Sequence, residues 1–210
     1  MTTEHVALHG VDTHGESGNS EHRMSQGTLA MILFLGSEAM LFASFFTAYF
    51  MVRYNIAQGS WPPIRDAATG ARFVLPKGIT AVNTVFLVSS SFTLWWGEHR
   101  LKHGDRKSLE RGLLVTIFLG VTFLVVQLNE YAHLGFTPQN KAFGSVFYSL
   151  TGLHGFHVLV GLILLIICYI RVKRAKDFSP TRATVLVAAS LYWHFVDVVW
   201  VLLFFLVYLL

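Results

Sequence analysis

The chain has 210 residues, of which 53% are hydrophobic and only 13% are charged. Soluble domains carry roughly 25% charged residues, so this composition excludes an ordinary water-soluble fold and points to a polytopic membrane protein. The formal net charge of +4 is not a nucleic-acid signature, because the basic residues lie in short stretches between apolar runs, where membrane topology accounts for them.

Residues 1–22 read as a disordered polar tail, rich in His, Gly, Ser and Glu, with too little apolar character to fold and no apolar region of a cleavable signal peptide. His5, His9, His14 and His22 could chelate a metal, but a solvated leader is the plainer reading. Residues 23–210 read as one all-α bundle with five transmembrane helices, at about 28–52, 79–97, 110–132, 146–170 and 183–209. Each is about long enough to cross a ~30 Å hydrocarbon core. Five crossings place the termini on opposite sides. Eleven Lys and Arg residues (Arg23, Arg100, Lys102, Arg106, Lys107, Arg111, Arg171, Lys173, Arg174, Lys176 and Arg182) fall on one side, and five (Arg53, Arg65, Arg72, Lys77 and Lys141) on the other. The positive-inside rule then predicts a cytoplasmic N-terminus and an external C-terminus. The single cysteine, Cys168, lies in an apolar run, which leaves no internal disulfide and no cysteine metal site.

The first span carries Glu38 within LGSEAMLF, about ten residues and so roughly 15 Å from its inner end. Gly36, Ala39, Ala43 and Thr47 form a small-residue stripe beside it, suited to close approach of lipid or a packing partner. In the third span, Gln127 and Glu130 face one way, and Glu130 and His133 lie near the outer end, close to water. In the fourth, His154 and His157 share a face, and Gly152, Gly155 and Gly161 predict another helix packed close by. His157 comes out roughly 20 Å deep. The fifth holds YWHFVDVVW at 192–200, in a stretch with no other charge from Ala183 to Leu210. His194 lies roughly 17 Å and Asp197 roughly 21 Å up that helix, and they share a face at i, i+3. Trp193 and Trp200 flank Asp197 closely enough for either indole N–H to donate to it.

Glu38, His157, His194 and Asp197 therefore fall near one depth on three helices. Ionisable groups are expensive inside a bilayer and suggest function by default. Two readings stand: a buried cluster that handles protons or tunes a partner, and a polar staple that fixes helix packing. His194–Asp197 reads mainly as a staple, and Glu38 is the better candidate for a proton or lipid role. Desolvation leaves room for Glu38 to be protonated. One bis-histidine haem from the fourth and fifth helices is conceivable, since such sites use axial histidines from two helices. No CxxCH, copper-binding cysteine pair, nucleotide loop or hydrolase triad occurs.

Six segments carry a family resemblance: SEAMLFASFF at 37–46, WPP at 61–63, NTVFLVSSS at 83–91, QLNEY at 127–131, FYSLTGLHGFHVLVG at 147–161 and YWHFVDVVWVLLF at 192–204. In order and across every helix, they resemble subunit III of the haem–copper terminal oxidases, in particular the cytochrome c oxidase type in its short five-helix bacterial form. The resemblance implies a chain with no redox centre and no metal of its own, in a complex that oxidises cytochrome c, reduces oxygen to water and pumps protons. Haem and copper are then expected in the partner subunits. The implied partners are the catalytic subunit I, subunit II and membrane lipid, with phospholipid as a bound component, and the implied place is the bacterial plasma membrane. It also implies that Glu38 matches the family's buried, carbodiimide-reactive carboxyl, and that the chain supports proton uptake and turnover stability. Subunit III of a quinol oxidase, or a homologue associated with nitric oxide reductase, is the alternative within the family. A stand-alone membrane cytochrome b is the alternative from another class.

Overall fold

The computed structural model describes residues 26–56, 77–134, 141–174 and 180–210. The polar tail 1–22 and the Trp61-Pro62-Pro63 motif lie outside the described residues. Five α-helices follow in order: α1 (Gln26–Met51), α2 (Lys77–Lys102), α3 (Arg106–His133), α4 (Lys141–Arg174) and α5 (Pro180–Leu203). Short π-helical segments, Val52–Ile56 and Phe204–Leu209, continue α1 and α5. All five helices are long and apolar enough to cross a membrane. Helices are expected there, because a bilayer offers no water to satisfy backbone N–H and C=O groups.

The helices overrun the expected spans. α2 continues five residues past the predicted end at 97, and α4 starts at Lys141 and ends at Arg174. The expectation stopped at the first charges, whereas Lys and Arg stems can stay helical while their heads reach toward water.

The tightest contact joins α2 to α3. Gly104, with φ +82°, supports the turn between them. Asp105 then caps α3 by accepting from the Ser108 amide at 3.2 Å and the Ser108 hydroxyl at 2.5 Å, which satisfies one of the orphan donors of a helix start. Farther along, a Cβ on Gly112 would stand 2.9 Å from the Thr93 carbonyl oxygen and 3.1 Å from the Gly97 Cα. The two backbones touch, and only glycine fits. Hydroxyls line the same seam: Thr93 and Thr116 share a hydrogen bond at 2.8 Å, and Thr116 donates to the Ser90 carbonyl at 3.1 Å. Asn83 donates to the Phe123 carbonyl at 3.1 Å.

α5 fills the centre. The Trp193 ring lies where a Cβ on Gly120 of α3 or Gly161 of α4 would be, at 2.6 and 2.8 Å, and its indole donates to Ser90 Oγ at 3.0 Å. Half of the apolar window of α5 is buried, against 6% for α1. α1 packs on α4 and α5, burying Phe42 and Tyr49. At its C-terminal end, Tyr49 donates to the Leu206 carbonyl at 3.3 Å and Arg53 to the Leu210 carbonyl at 2.9 Å.

Several of the predicted small-residue positions have no close neighbour within this chain. Gly36 and Gly152 have nothing within 4 Å of a built Cβ, and Gly155 meets only Leu124, at 4.0 Å. Gly36, Ala39 and Ala43 are exposed. A small-residue stripe signals that something can approach, not that the neighbour belongs to the same chain. Among the described residues the close approaches are at Gly27 of α1, against the Thr184 side chain, and at Gly97, Gly112, Gly120 and Gly161.

Candidate functional site

The polar residues predicted at one depth fall into two separate centres. In the first, α1 presents Glu38 to His157 of α4, with Oε2 and Nε2 2.8 Å apart. His157 Nδ1 lies 2.8 Å from the Leu153 carbonyl oxygen, one turn back. A carbonyl can only accept, so Nδ1 carries a proton and Nε2 faces the carboxyl. One further proton then lies between Glu38 Oε2 and His157 Nε2. It makes either an imidazolium–carboxylate pair or a neutral imidazole with a carboxylic acid. The seat is covered on several sides: the Phe42 ring lies 5.0 Å from His157, the Phe156 ring 6.0 Å, and Tyr192 stacks at 6.5 Å. The Glu38 side chain is 17% exposed and His157 7%, so the open side belongs to α1.

The second centre joins α2 to α5. Ser91 donates to Asp197 Oδ2. That uses the only hydroxyl proton, so the His194 Nδ1–H, at 3.0 Å, donates to Ser91 Oγ. His194 and Asp197 thus share a face as predicted, but they meet through a serine of another helix. The indoles do not donate to Asp197, contrary to expectation. Trp193 donates to Ser90 and Trp200 to Thr84, both at 3.0 Å, because both rings point toward the α2 seam. Asp197 Oδ1 has no protein partner. The Ser91–His194–Asp197 group forms the floor of an apolar groove of about 610 Å³ between α2 and α5, with Phe92, Trp95 and Val198 on its walls. Among the described residues no hydrogen bond joins this centre to Glu38–His157.

Glu130, placed near water by its position in sequence, is buried, and both its carboxylate oxygens lie 3.1 Å from the Thr80 hydroxyl. His154 is fully buried and neither ring nitrogen has a protein partner. These placements also bear on haem. His157 uses both ring nitrogens, and the His154 ring is packed against Trp200 at 4.8 Å and Phe123 at 6.1 Å. A porphyrin ligated by His154 or His157 would have to displace these contacts. Among the described residues no group of three His, Cys, Asp or Glu side chains could hold a metal ion.

Ser91 and Thr80 are the partners that the sequence does not reveal. Ser91 ends a run of three serines with no pattern to single it out, and Thr80 lies at the start of α2, far in sequence from Glu130.

Residues 8–210 match the family described as cytochrome c oxidase subunit III. The chain is 38% identical over 199 residues to cytochrome c oxidase subunit 3 of Synechocystis sp., covering 95% of this chain and 80% of that one. It is 40% identical over 193 residues to the probable cytochrome c oxidase subunit 3 of Nocardia farcinica, covering 90% and 91%. With cytochrome c oxidase subunit 3 of Anopheles gambiae it shares 41% identity over 181 residues, covering 85% and 67%.

Proposed function

The chain belongs to the cytochrome c oxidase subunit III family, and from that premise we propose that it is the non-redox membrane subunit of a proton-pumping oxidase that oxidises cytochrome c and reduces oxygen to water. The carrying observation is how the deep polar residues are used. Glu38 ties α1 to His157 of α4, and Ser91 ties α2 to His194 and Asp197 of α5. Side chains spent on helix ties do not present ligands to an electron carrier. Haem and copper then reside in partner subunits I and II, and this chain supports the catalytic subunit's proton uptake and its stability during turnover.

The exposed face of α1, with Gly36, Ala39, Ala43 and Met40, suits contact with phospholipid or a neighbouring subunit. The Glu38–His157 proton lies just behind that face. The orientation proposed is N-terminus in the cytoplasm of a bacterial plasma membrane, as the distribution of Lys and Arg predicts.

Purification of the chain from its membrane tests this reading. The expected preparation contains oxidase subunits I and II, with haem absorbance that leaves with them when the subunits are separated. Stoichiometric haem retained by the separated chain would overturn it. Oxidase carrying Glu38→Gln is expected to keep most of its oxygen reduction, because no electron path runs through Glu38. Activity at background in a fully assembled Glu38→Gln complex is the contrary result.

A further inference from the structure

Buried polar groups away from both centres converge between α2, α3 and α4, and their arrangement is independent of the oxidase reading. Gln127 of α3 is 3% exposed, and neither its amide nitrogen nor its amide oxygen has a protein partner. The same holds for both ring nitrogens of His154, for Asn83 Oδ1 and for the Tyr131 hydroxyl. An amide brings two donors and an acceptor oxygen, and an imidazole brings one donor and one acceptor. Such groups are nearly always hydrogen-bonded when buried, and a bilayer gives them no outside alternative.

The register of α3 and α4 stacks them in one column. The Tyr131 and Tyr148 rings meet at 5.1 Å, and the Phe123 and His154 rings at 6.1 Å. Gln127 lies one turn from both Phe123 and Tyr131, so it stands level with Thr151, the turn between Tyr148 and His154. Tyr131 comes within weak hydrogen-bonding reach of Thr151 and Gln127, and Tyr208 of Gln127 and Thr80, but Gln127 and the Tyr131 hydroxyl lack the distance and angle of a direct bond, which leaves the gaps that a bridging water closes. The inner end is closed by Phe123 and Trp200, with ring centroids 4.8 Å apart. The outer end is marked by Glu130 on Thr80.

We infer that this column is an internal hydration site, in which ordered water bridges Gln127, Tyr131, Asn83 and His154. The ligand class is set by the mixture of donors and acceptors, which no anion or cation alone satisfies. Water does both, making about three hydrogen bonds per molecule in buried sites. The site is blind at its inner end, so it hydrates the outer half of the bundle without reaching Glu38.

Synchrotron hydroxyl-radical labelling of the full chain, purified with whatever partners accompany it, tests the inference, because radiolysis of a trapped water oxidises the aromatic ring beside it. Trp200 and Trp193 are both 0% exposed, and Tyr208 and Tyr192 both 2%, so they form matched pairs inside and outside the column. Trp200 and Tyr208 are expected to be oxidised several-fold faster than Trp193 and Tyr192. Gln127→Leu should bring Trp200 and Tyr208 down to the level of their references. Equal rates within each pair in the unmodified chain overturn the inference, and that comparison stands even where Gln127→Leu does not fold. A density map showing Gln127 bonded directly to His154 or Tyr131, with no solvent peak between, overturns it equally.

Discussion

Gly97 and Gly112 bring α2 and α3 into backbone contact, whereas Gly36 of α1 has nothing within 4 Å of where a Cβ would stand. The α2–α3 seam adds a ladder of threonine and serine hydrogen bonds. α1 has one carboxyl–imidazole bond midway along it, two ties at its C-terminal end and a close approach of Gly27 to Thr184 at its start. Small residues occur in both places with opposite results. In the hairpin they are spent on contact inside the chain, and in α1 they leave a smooth face for something outside it. The difference describes a compact four-helix body with a fifth helix leaning on it. Hydrophobic burial does not drive helices together in lipid, so α1 is held by the packing of Phe42 and Tyr49 and by its few polar ties.

Gly112→Val should break the body most severely. The new side chain meets the Thr93 carbonyl and the Gly97 backbone, and overpacking of this kind costs about 3 kcal/mol. Thermal unfolding in detergent is expected to show it, while Gly36→Ala at the open position leaves the melting temperature unchanged. If the two substitutions act alike, the contrast between seam and arm is wrong. Ser91→Ala comes next. It leaves Asp197 Oδ2 and His194 Nδ1 without partners, at about 2 kcal/mol, and should lower the yield of assembled chain. Ser37→Ala is its control, because the Ser37 hydroxyl is exposed and bonds only back to the Phe34 carbonyl. Equal yields for Ser91→Ala and Ser37→Ala would remove the staple from the account.

The smallest effect lies outside the membrane, at the α3 cap. The Ser108 hydroxyl, then the Ser108 amide, hold the Asp105 carboxyl below its ordinary value of 3.8, with Arg100 adding a lesser pull. The fold favours the ionised form, so the contribution is complete above the unfolded value and is lost as pH falls through the lowered folded value. Solvent screening keeps it small. Asp105→Ala should lower stability slightly at neutral pH and flatten the acid limb of a stability-versus-pH curve, so that the two curves meet at low pH. An unchanged acid limb would show that the cap carries no such linkage.

The membrane class, the helix count and the pairing depth of Glu38 with His157 were legible in the sequence, because long apolar runs and a 1.5 Å rise per residue translate directly into depth. Which way each deep group points was not. His154 and His157 look equivalent on paper, yet one is paired and the other lies among rings with no protein partner. Asp197 was matched to its neighbouring indoles by spacing, but its partner is Ser91, 106 residues away. Register between helices decides such contacts, and no local pattern encodes it. The small-residue stripe of α1 was visible, but composition does not say whether its neighbour lies within the chain.

The Glu38–His157 bond is the one interhelical side-chain pair that ties α1 to the body at mid-depth among the described residues. A double-mutant cycle over Glu38→Ala and His157→Ala, read as unfolding free energy of the chain with its partners in place, isolates that pair. Interhelical hydrogen bonds in membranes average about 0.6 kcal/mol and reach about 1.7, and a carboxyl–imidazole pair at 2.8 Å shielded by Phe42, Phe156 and Tyr192 should fall toward the upper value. A coupling energy of about 1 kcal/mol or more is the predicted result. Strict additivity of the two substitutions would mean that Glu38 and His157 do not hold α1 in place.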